Sequence, residues 1–284
     1  MITAIVLSED GAARVHLLLE SLDINSGNLF DVVVLHRSSG ADFFNGYAKT
    51  ADFFYQKHKD DYIFPIRWVE RKHKSLSKDI MTCLESSRDM VCLFNDENIL
   101  FKRPPSHKNI NTLFEEYNPF CLSLRLGNNT VIQNPYESNR YFAEIPEEGE
   151  FVLDQFLLWD ASKVTPYTNF AIPFSSNGHI FKKDTLKKTL EQSSTHDIYE
   201  LESEVQPFIY EELYRDFSSQ MACPEYSVVI HNSSSKISDE NPINLGIDKH
   251  DLNTRYLDGK TIDIEHFVFD SISKPFEDFV LRFH

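Results

Sequence analysis

Residues 88–103 run R-D-M-V-C-L-F-N-D-E-N-I-L-F-K-R, an apolar strand that stops at Asn95-Asp96-Glu97-Asn98 and leaves through a basic exit. Adjacent carboxylates at the mouth of a buried strand are hard oxygen ligands, the donors that Mg²⁺ or Mn²⁺ needs to clamp a diphosphate. A neutral imidazole is a suitable third ligand beside Glu97, and His231, at the end of a later apolar run, is the candidate; His179 is a second. The bland alternative for Asn95–Asn98 is a polar turn after a core strand, and for either histidine a structural role. Arg125, in S-L-R-L-G, sits inside an apolar run, where a guanidinium must be paired to offset its desolvation, either by an acidic residue of the sheet edge or by a ligand.

The elements that must position these groups alternate. Ile2–Leu7 is a short buried strand, followed by a polar turn at Ser8–Gly11 and a helical pattern through Val15, Leu18, Leu19 and Leu22. Phe30–His36 is a second strand with little alternation, as for a strand covered on both faces. Phe43–His58 is helical, Phe64–Val69 is a third strand, and Leu76–Ser86 is a helix capped by Ser75 or Ser77, just ahead of the strand that ends at Asn95. A helix from Ile110 leads to a strand at Phe120–Arg125, and a long loop follows through Gly149. An aromatic-rich stretch spans Phe151–Trp159 and Phe170–Ile172; then come the turn Ser175–Gly178 entering a strand, a Lys-rich helix Asp184–Gln192, a last core strand Val228–Ile230 and a polar loop Ser233–Asn244. Strands alternating with helices imply a mainly parallel α/β sheet, with ligands beyond the carboxyl ends of its strands. Ser8, Arg37-Ser38-Ser39 and Asp96-Glu97 all fall at such ends.

The composition supports a folded domain and excludes several functions. The chain has 284 residues, 41% of them hydrophobic and 13% aromatic, with 23 Phe, enough for one full core. A formal charge of −16 argues against a general nucleic-acid binder. The local basic cluster Arg67, Arg71, Lys72, His73 and Lys74 is either a phosphate- or membrane-facing patch or a solvated loop. Four cysteines without C-x-x-C spacing, two of them in apolar runs, fit a reducing cytoplasm. No run reaches the roughly 18 apolar residues of a membrane span, and the amino-terminal segment turns acidic too soon for a signal peptide, so at most peripheral membrane contact is expected. No G-x-G-x-x-G, G-x-x-x-x-G-K-[S/T] or G-x-S-x-G occurs, which removes the dinucleotide, P-loop and serine-hydrolase readings.

The order of strand, helix, strand with R-S-S, helix, and strand with N-D-E-N resembles the nucleotide-binding half of GT-A-fold glycosyltransferases. More narrowly, V-V-V-L-H-R-S-S-G with a following F-F-N-G-Y that ends at Tyr47, then C-L-F-N-D-E-N-I-L-F, L-S-L-R-L-G-N-N and I-P-F-S-S-N-G-H-I-F resemble successive signatures of a group of bacterial and large-virus glycosyltransferase-like proteins. The resemblance covers about residues 2–183, with a weaker echo at Asn253–Gly259 and Ile262–Phe267. It implies a single Rossmann-like GT-A domain: a nucleotide-binding half over 1–105, an acceptor and catalytic half over 106–232, and a C-terminal elaboration over 233–284. It implies a divalent-metal-dependent, inverting transfer of a sugar from a nucleotide-diphosphate donor to a glycan or lipid-linked glycan. Ser8, Arg37, Lys78, Asp96 and Arg125 are then donor-contacting positions, with Asp79 beside Lys78, and Asp96, Glu97 and His231 hold the Mn²⁺ or Mg²⁺.

An inverting transfer needs a carboxylate base for the acceptor hydroxyl. The family pattern places an acid near S-S-N-G-H-I-F, but this chain has Asn177 there, and an amide cannot act as a base. Glu202, with Glu204 after it, and Asp154, with Asp160 flanking Phe156 and Trp159, are the alternatives; the aromatic pair is expected to stack on a sugar. An acidic helix start complementing the dipole is the bland explanation of Glu202. A catalytically silent nucleotide- or glycan-binding module is the competing function, favoured by Asn177 and by Glu at position 97. A nucleotidyltransferase ranks last, because S-E-D-G-A-A-R puts acid where a triphosphate would bind.

Overall fold

A computed structural model describes residues 1–60, 64–130, 132–133, 142–143, 146–166, 168–232, 248–267, 269, 272, 274–277 and 281–284. The first half of the chain is a regular alternation: β1 (Ile2–Glu9), α1 (Ala12–Asn25), β2 (Phe30–Arg37), α2 (Ala41–His58), β3 (Ile66–Glu70), α3 (Leu76–Glu85) and β4 (Met90–Asn95). The second half is mixed: β5 (Asn98–Leu100), α4 (His107–Glu116), β6 (Cys121–Ser123), β7 (Ile132–Gln133), β8 (Phe142–Ala143), β9 (Glu150–Val152), β10 (Phe156–Asp160), β11 (His179–Lys182), α5 (Lys183–Leu190), α6 (Ile198–Phe208), α7 (Tyr214–Asp216), β12 (Gln220–Pro224), β13 (Val229–Asn232), α8 (Lys249–Leu257) and β14 (Phe276–Glu277).

The large sheet has the order β3-β2-β1-β4-β11-β6-β12-β10-β9. The pairs β3/β2, β2/β1, β1/β4 and β6/β12 are parallel, whereas β11 and β10 each run against both neighbours. Strand direction is therefore shared by every member except those two, the mainly parallel α/β architecture that the strand-helix alternation predicts.

Both faces are covered, and the two-residue period of the strands sorts their side chains between two cores. Ala4, Val6, Val32, Val34, Cys92 and Phe94 pack with α1 and α4; Ile5, Leu7, Val33, Leu35, Val91 and Leu93 pack with α3, α5 and α6. Helix α3 starts where Ser75 accepts from the Lys78 N–H, as expected, and α4 is capped in the same way by Ser106. All four cysteines are buried and unpaired in disulfides, with burial pushing the Cys83 thiol up to about 11.

Two sequence expectations are corrected here. The strand expected over Phe120–Arg125 is short, because the Leu124 N–H already bonds to the Gly178 carbonyl and its own carbonyl takes the N–H groups of Val228 and Val229, which pulls the chain out of the ladder. The strand near Val228 belongs to a separate three-stranded sheet, β14-β13-β5, beside the acidic turn. The loop expected at Ser233–Asn244 lies outside the described residues, as does much of the one expected before Gly149. Among the described residues no helix is long and apolar enough to cross a membrane.

Candidate nucleotide site

The chain builds β1, β2 and β3 outward in one direction and then returns to lay β4 on the other side of β1. Two loops that leave neighbouring strands in opposite directions open a crevice beyond the carboxyl ends of β1 and β4, where open α/β sheets bind their ligands. A cleft of about 310 Å³ lies there, with Ser8, Arg14, Arg71, Asp96, Glu97 and Tyr199 among its walls.

All four carboxylate oxygens of the acidic pair have protein partners. Asp96 Oδ2 accepts from Ser8 Oγ at 2.5 Å, and Asp96 Oδ1 lies 3.6 Å from Arg14 Nε. Glu97 Oε1 accepts from Arg14 Nη1 at 3.2 Å, while Glu97 Oε2 faces His231 Nε2 at 3.2 Å and the Tyr199 hydroxyl at 3.3 Å. The pair and Arg14 are each more than nine-tenths buried. Burial works against the Arg14 charge, but Asp96 and then Glu97 outweigh it, so the guanidinium is held more firmly protonated than usual. Burial, and next the neighbouring Asp96 or Glu97 charge, pushes the Tyr47 and Tyr199 hydroxyls up, which keeps both neutral donors.

Local sequence explains this geometry. Gly11 ends the β1 turn, and a Cβ there would stand 1.9 Å from Asp96 Oδ2, so only glycine lets the carboxylate reach the amino end of α1, where the helix dipole favours it. Tyr47, from α2, bonds both Ser8 Oγ at 2.6 Å and the Gly11 N–H at 2.9 Å, fixing the hydroxyl that meets Asp96. Arg14 lies in the first turn of α1, pointed back across that end. Tyr199 is held by the cap of α6, where Asp197 accepts from the Tyr199 and Glu200 N–H groups.

Beneath the pair is an amide cluster. Asn177 Oδ1 accepts from Asn95 Nδ2 at 2.9 Å and Asn98 Nδ2 at 3.0 Å, and Asn177 Nδ2 donates to Ser175 Oγ at 3.1 Å. Asn95 and Asn98 also bond the turn's backbone, taking the N–H groups of Glu97 and Asn95 respectively. Asn98 reaches His231 Nδ1 at 3.3 Å, so His231 bridges the cluster and Glu97. Glu202 lies one turn beyond Tyr199 on α6, where positions three apart share a face. Its Oε1 accepts from Ser176 N at 2.7 Å and Ser176 Oγ at 2.6 Å, bracing the Ser175–Gly178 turn.

Ser8, Asp96, Glu97 and His231 thus meet, with Glu202 bordering them through the braced turn. The remaining candidates stand elsewhere. Arg37 is exposed at the end of β2, and Lys78 faces a separate groove with His73, Glu85 and Lys187. Asp79 holds the preceding loop through Arg71 and the Lys72 and His73 N–H groups. Arg125 is buried against Asn169 Oδ1 at 3.2 Å and the Phe276 ring at 4.4 Å. Asp154 is exposed in the β9–β10 turn, four strands from β4, roughly 19 Å at 4.8 Å per strand. Phe156 and Trp159, expected to stack on a sugar, are core residues, the indole N–H donating to the Phe170 carbonyl at 2.7 Å. His179 is buried on the Pro173 carbonyl, and Asp160 caps a short turn at Ser162.

Sequence reasoning missed Arg14, Tyr47, Gly11, Tyr199 and Lys249. Arg14 carried a usable signal, a charged residue in the first turn of α1 among the apolar Ala12, Ala13, Val15 and Leu17. Arg71 was assigned to a solvated or phosphate-facing loop; it forms a wall of the cleft and joins Glu9 and Asp79, each at 3.4 Å, to the His196 carbonyl at 3.0 Å.

The expected divalent ion does not fit this arrangement. Three of the four oxygens of Asp96 and Glu97 accept hydrogen bonds and the fourth, Asp96 Oδ1, is ion-paired 3.6 Å from Arg14 Nε, with the guanidinium between the two side chains; among the described residues no three His, Cys, Asp or Glu are placed to hold a metal.

No family model and no curated protein matches the chain. Among solved structures it is similar to residues 1–349 of S. aureus TarS in complex with UDP, at 13% identity and TM-score 0.46, over 78% of this chain and 57% of that one. TarS 1–349 in complex with UDP-GlcNAc gives 11% identity and TM-score 0.38, over 66% and 47%. The mannosyltransferase PcManGT from Pyrobaculum calidifontis, in complex with GDP-Man and Mn²⁺, gives 15% identity and TM-score 0.32, over 43% and 34%. The chain thus spans less than three-fifths of each of these structures, and the likenesses bear on the role of no residue.

Proposed function

We propose that the protein is a glycosyltransferase that moves a sugar from a nucleotide-diphosphate donor to a glycan or lipid-linked glycan. The observation that carries this is the cleft itself: a polar crevice at the switch point of the sheet, closed below by the acidic turn and flanked by Arg71 and by Lys249 at the start of α8. Backbone and hydroxyl groups at the ends of β1 and β2 suit a nucleoside, and the cationic wall suits its diphosphate. No divalent ion is assigned to the acidic pair, because Arg14 already lies between its two carboxylates as their counter-charge.

Glu202 is the carboxylate we assign as the base. With Oε1 fixed by Ser176, its second oxygen is the one to take the acceptor proton as the hydroxyl attacks the anomeric carbon and the nucleoside diphosphate leaves. A silent binding module is favoured instead by the inward bonding of Asn177 and by the structural bonds on Glu202. Incubation with UDP-, GDP-, CMP- and dTDP-linked sugars, followed by chromatography for released nucleotide, separates the two. Transfer or slow hydrolysis of one donor supports the enzyme, whereas tight binding with no turnover in the presence of mixed glycan acceptors supports the module.

A further inference from the structure

We propose that the acidic pair at the end of β4 takes its counter-charge from Arg14, and that the cleft binds a nucleotide diphosphate without a divalent metal ion. The second half of this rests on the function proposed above; the first half stands on the geometry alone.

A metal ion at this pair would compete for oxygens that already face protein groups, three of them hydrogen-bonded and the fourth, Asp96 Oδ1, ion-paired 3.6 Å from Arg14 Nε. Arg14 touches one oxygen of each side chain, Ser8 holds another, and Tyr199 with His231 covers the last. The guanidinium is delivered by the first turn of α1, whose start is pinned by Tyr47 on the Gly11 N–H, so it cannot withdraw as a flexible surface side chain would. Admitting a divalent ion would strand a buried Arg14 next to a second cation, a costly arrangement with the guanidinium stripped of its carboxylates. Arg14 also lowers the formal charge of the triad from −2 to −1, since it adds one positive charge to two negative ones. The diphosphate charge is then met by Arg71 and Lys249 across the cleft. A guanidinium set between two carboxylates supplies, through a hydrogen bond to Glu97 and an ion pair with Asp96, the counter-charge that a metal would supply.

The test uses Mn²⁺ alone first. Metal-stripped wild-type protein titrated with Mn²⁺ is expected to leave the aqueous Mn²⁺ electron paramagnetic resonance signal intact, while Arg14→Met, which frees both carboxylates beside His231, gains one bound Mn²⁺ per chain. Arg14→Lys is the second variant should Arg14→Met not fold: its single point charge cannot span both side chains, and intermediate Mn²⁺ uptake is expected. One Mn²⁺ bound per wild-type chain and lost in Glu97→Gln would overturn the inference. Calorimetric titration with UDP and GDP in EDTA and in Mn²⁺ tests the second half: affinities equal within about twofold support it, and binding confined to Mn²⁺ refutes it while upholding the nucleotide site. Failure of both nucleotides in either buffer, with wild-type protein still refusing Mn²⁺, sinks the proposed function and leaves the Arg14 substitution for metal standing.

Discussion

Asn177 accepts through Oδ1 from two buried amides beneath the acidic turn, and its replacement by alanine tests whether it is a structural amide. Asn95 Nδ2 would lose the partner it has on Asn177, and Asn98 Nδ2 would keep only the longer approach to His231 Nδ1 at 3.3 Å. A buried donor left unmade costs about 1–3 kcal/mol, so one full loss and one partial loss sum to about 2–3 kcal/mol. For 284 residues, at roughly 2.1 cal/mol/K of unfolding entropy per residue, that lowers Tm by roughly 3–5 °C. Asn95 also accepts the Glu97 N–H, so the same change loosens the acidic turn and weakens nucleotide binding. Asn177→Asp keeps both acceptor positions but draws the Ser175 hydroxyl away from Glu202 Oε1 and buries a new carboxylate beside it, so it too should unfold below wild type. It should add no transferase activity, because its oxygens remain bonded into the turn. Differential scanning calorimetry of both variants, paired with nucleotide titration, measures this. An Asn177→Ala protein as stable as wild type, or an Asn177→Asp protein with gained turnover, would refute the reasoning.

Other perturbations follow from the same geometry. Glu202→Gln keeps the Oε1 acceptor for Ser176, so Tm and donor affinity should hold while kcat falls about 10²–10⁴-fold; an unchanged kcat would remove Glu202 as the base. Gly11→Ala drives a methyl into Asp96 Oδ2, and a loss of about 1–3 kcal/mol with weakened nucleotide binding is expected in urea unfolding; neutral behaviour would mean that Asp96 is not held as described. His16 is buried against Phe53, Phe54 and the Tyr256 hydroxyl at 2.8 Å, and burial, then Lys57 and Lys49, lowers its pKa from 6.5 to about 4. The folded state resists protonation there, so this contribution is complete above pH 6.5 and declines as the pH falls toward about 4, by about 3 kcal/mol in all. Urea midpoints should fall through that window less steeply in His16→Phe, and identical slopes would refute the assignment.

The alternating half of the chain was legible because β1, β2 and β4 are each built on a single apolar run, as in V-V-V-L, with only β3 broken by Arg67, and the helices between them repeat apolar residues at helical spacing. Strand ends place a crevice, so the expected positions Ser8, Asp96 and Glu97 fall together along one cleft. The mixed half was harder. Strand β12 offers only Q-M-A-C-P, and α6 carries three glutamates and a proline, so neither shows a clean period. The role of Arg14 depends on a partner 83 residues away, a pairing that spacing within one helix does not express. Lys78 and Arg125 lie apart from the cleft: helix α3 turns Lys78 toward α5, and Arg125 is buried with Asn169 Oδ1 and the Phe276 ring among its partners.

The central claim, a nucleotide-sugar cleft at the β1/β4 switch point, is met most directly by a thermal-shift titration of UDP-, GDP-, CMP- and dTDP-sugars in EDTA, run on wild type and on Ser8→Trp, which fills the cleft. A ligand at a hundredfold over its Kd stabilises the native state by about 2.7 kcal/mol. The account predicts a saturable rise in Tm for one nucleotide class with wild type and none with Ser8→Trp. No rise with any donor, or the same rise in both proteins, would contradict it.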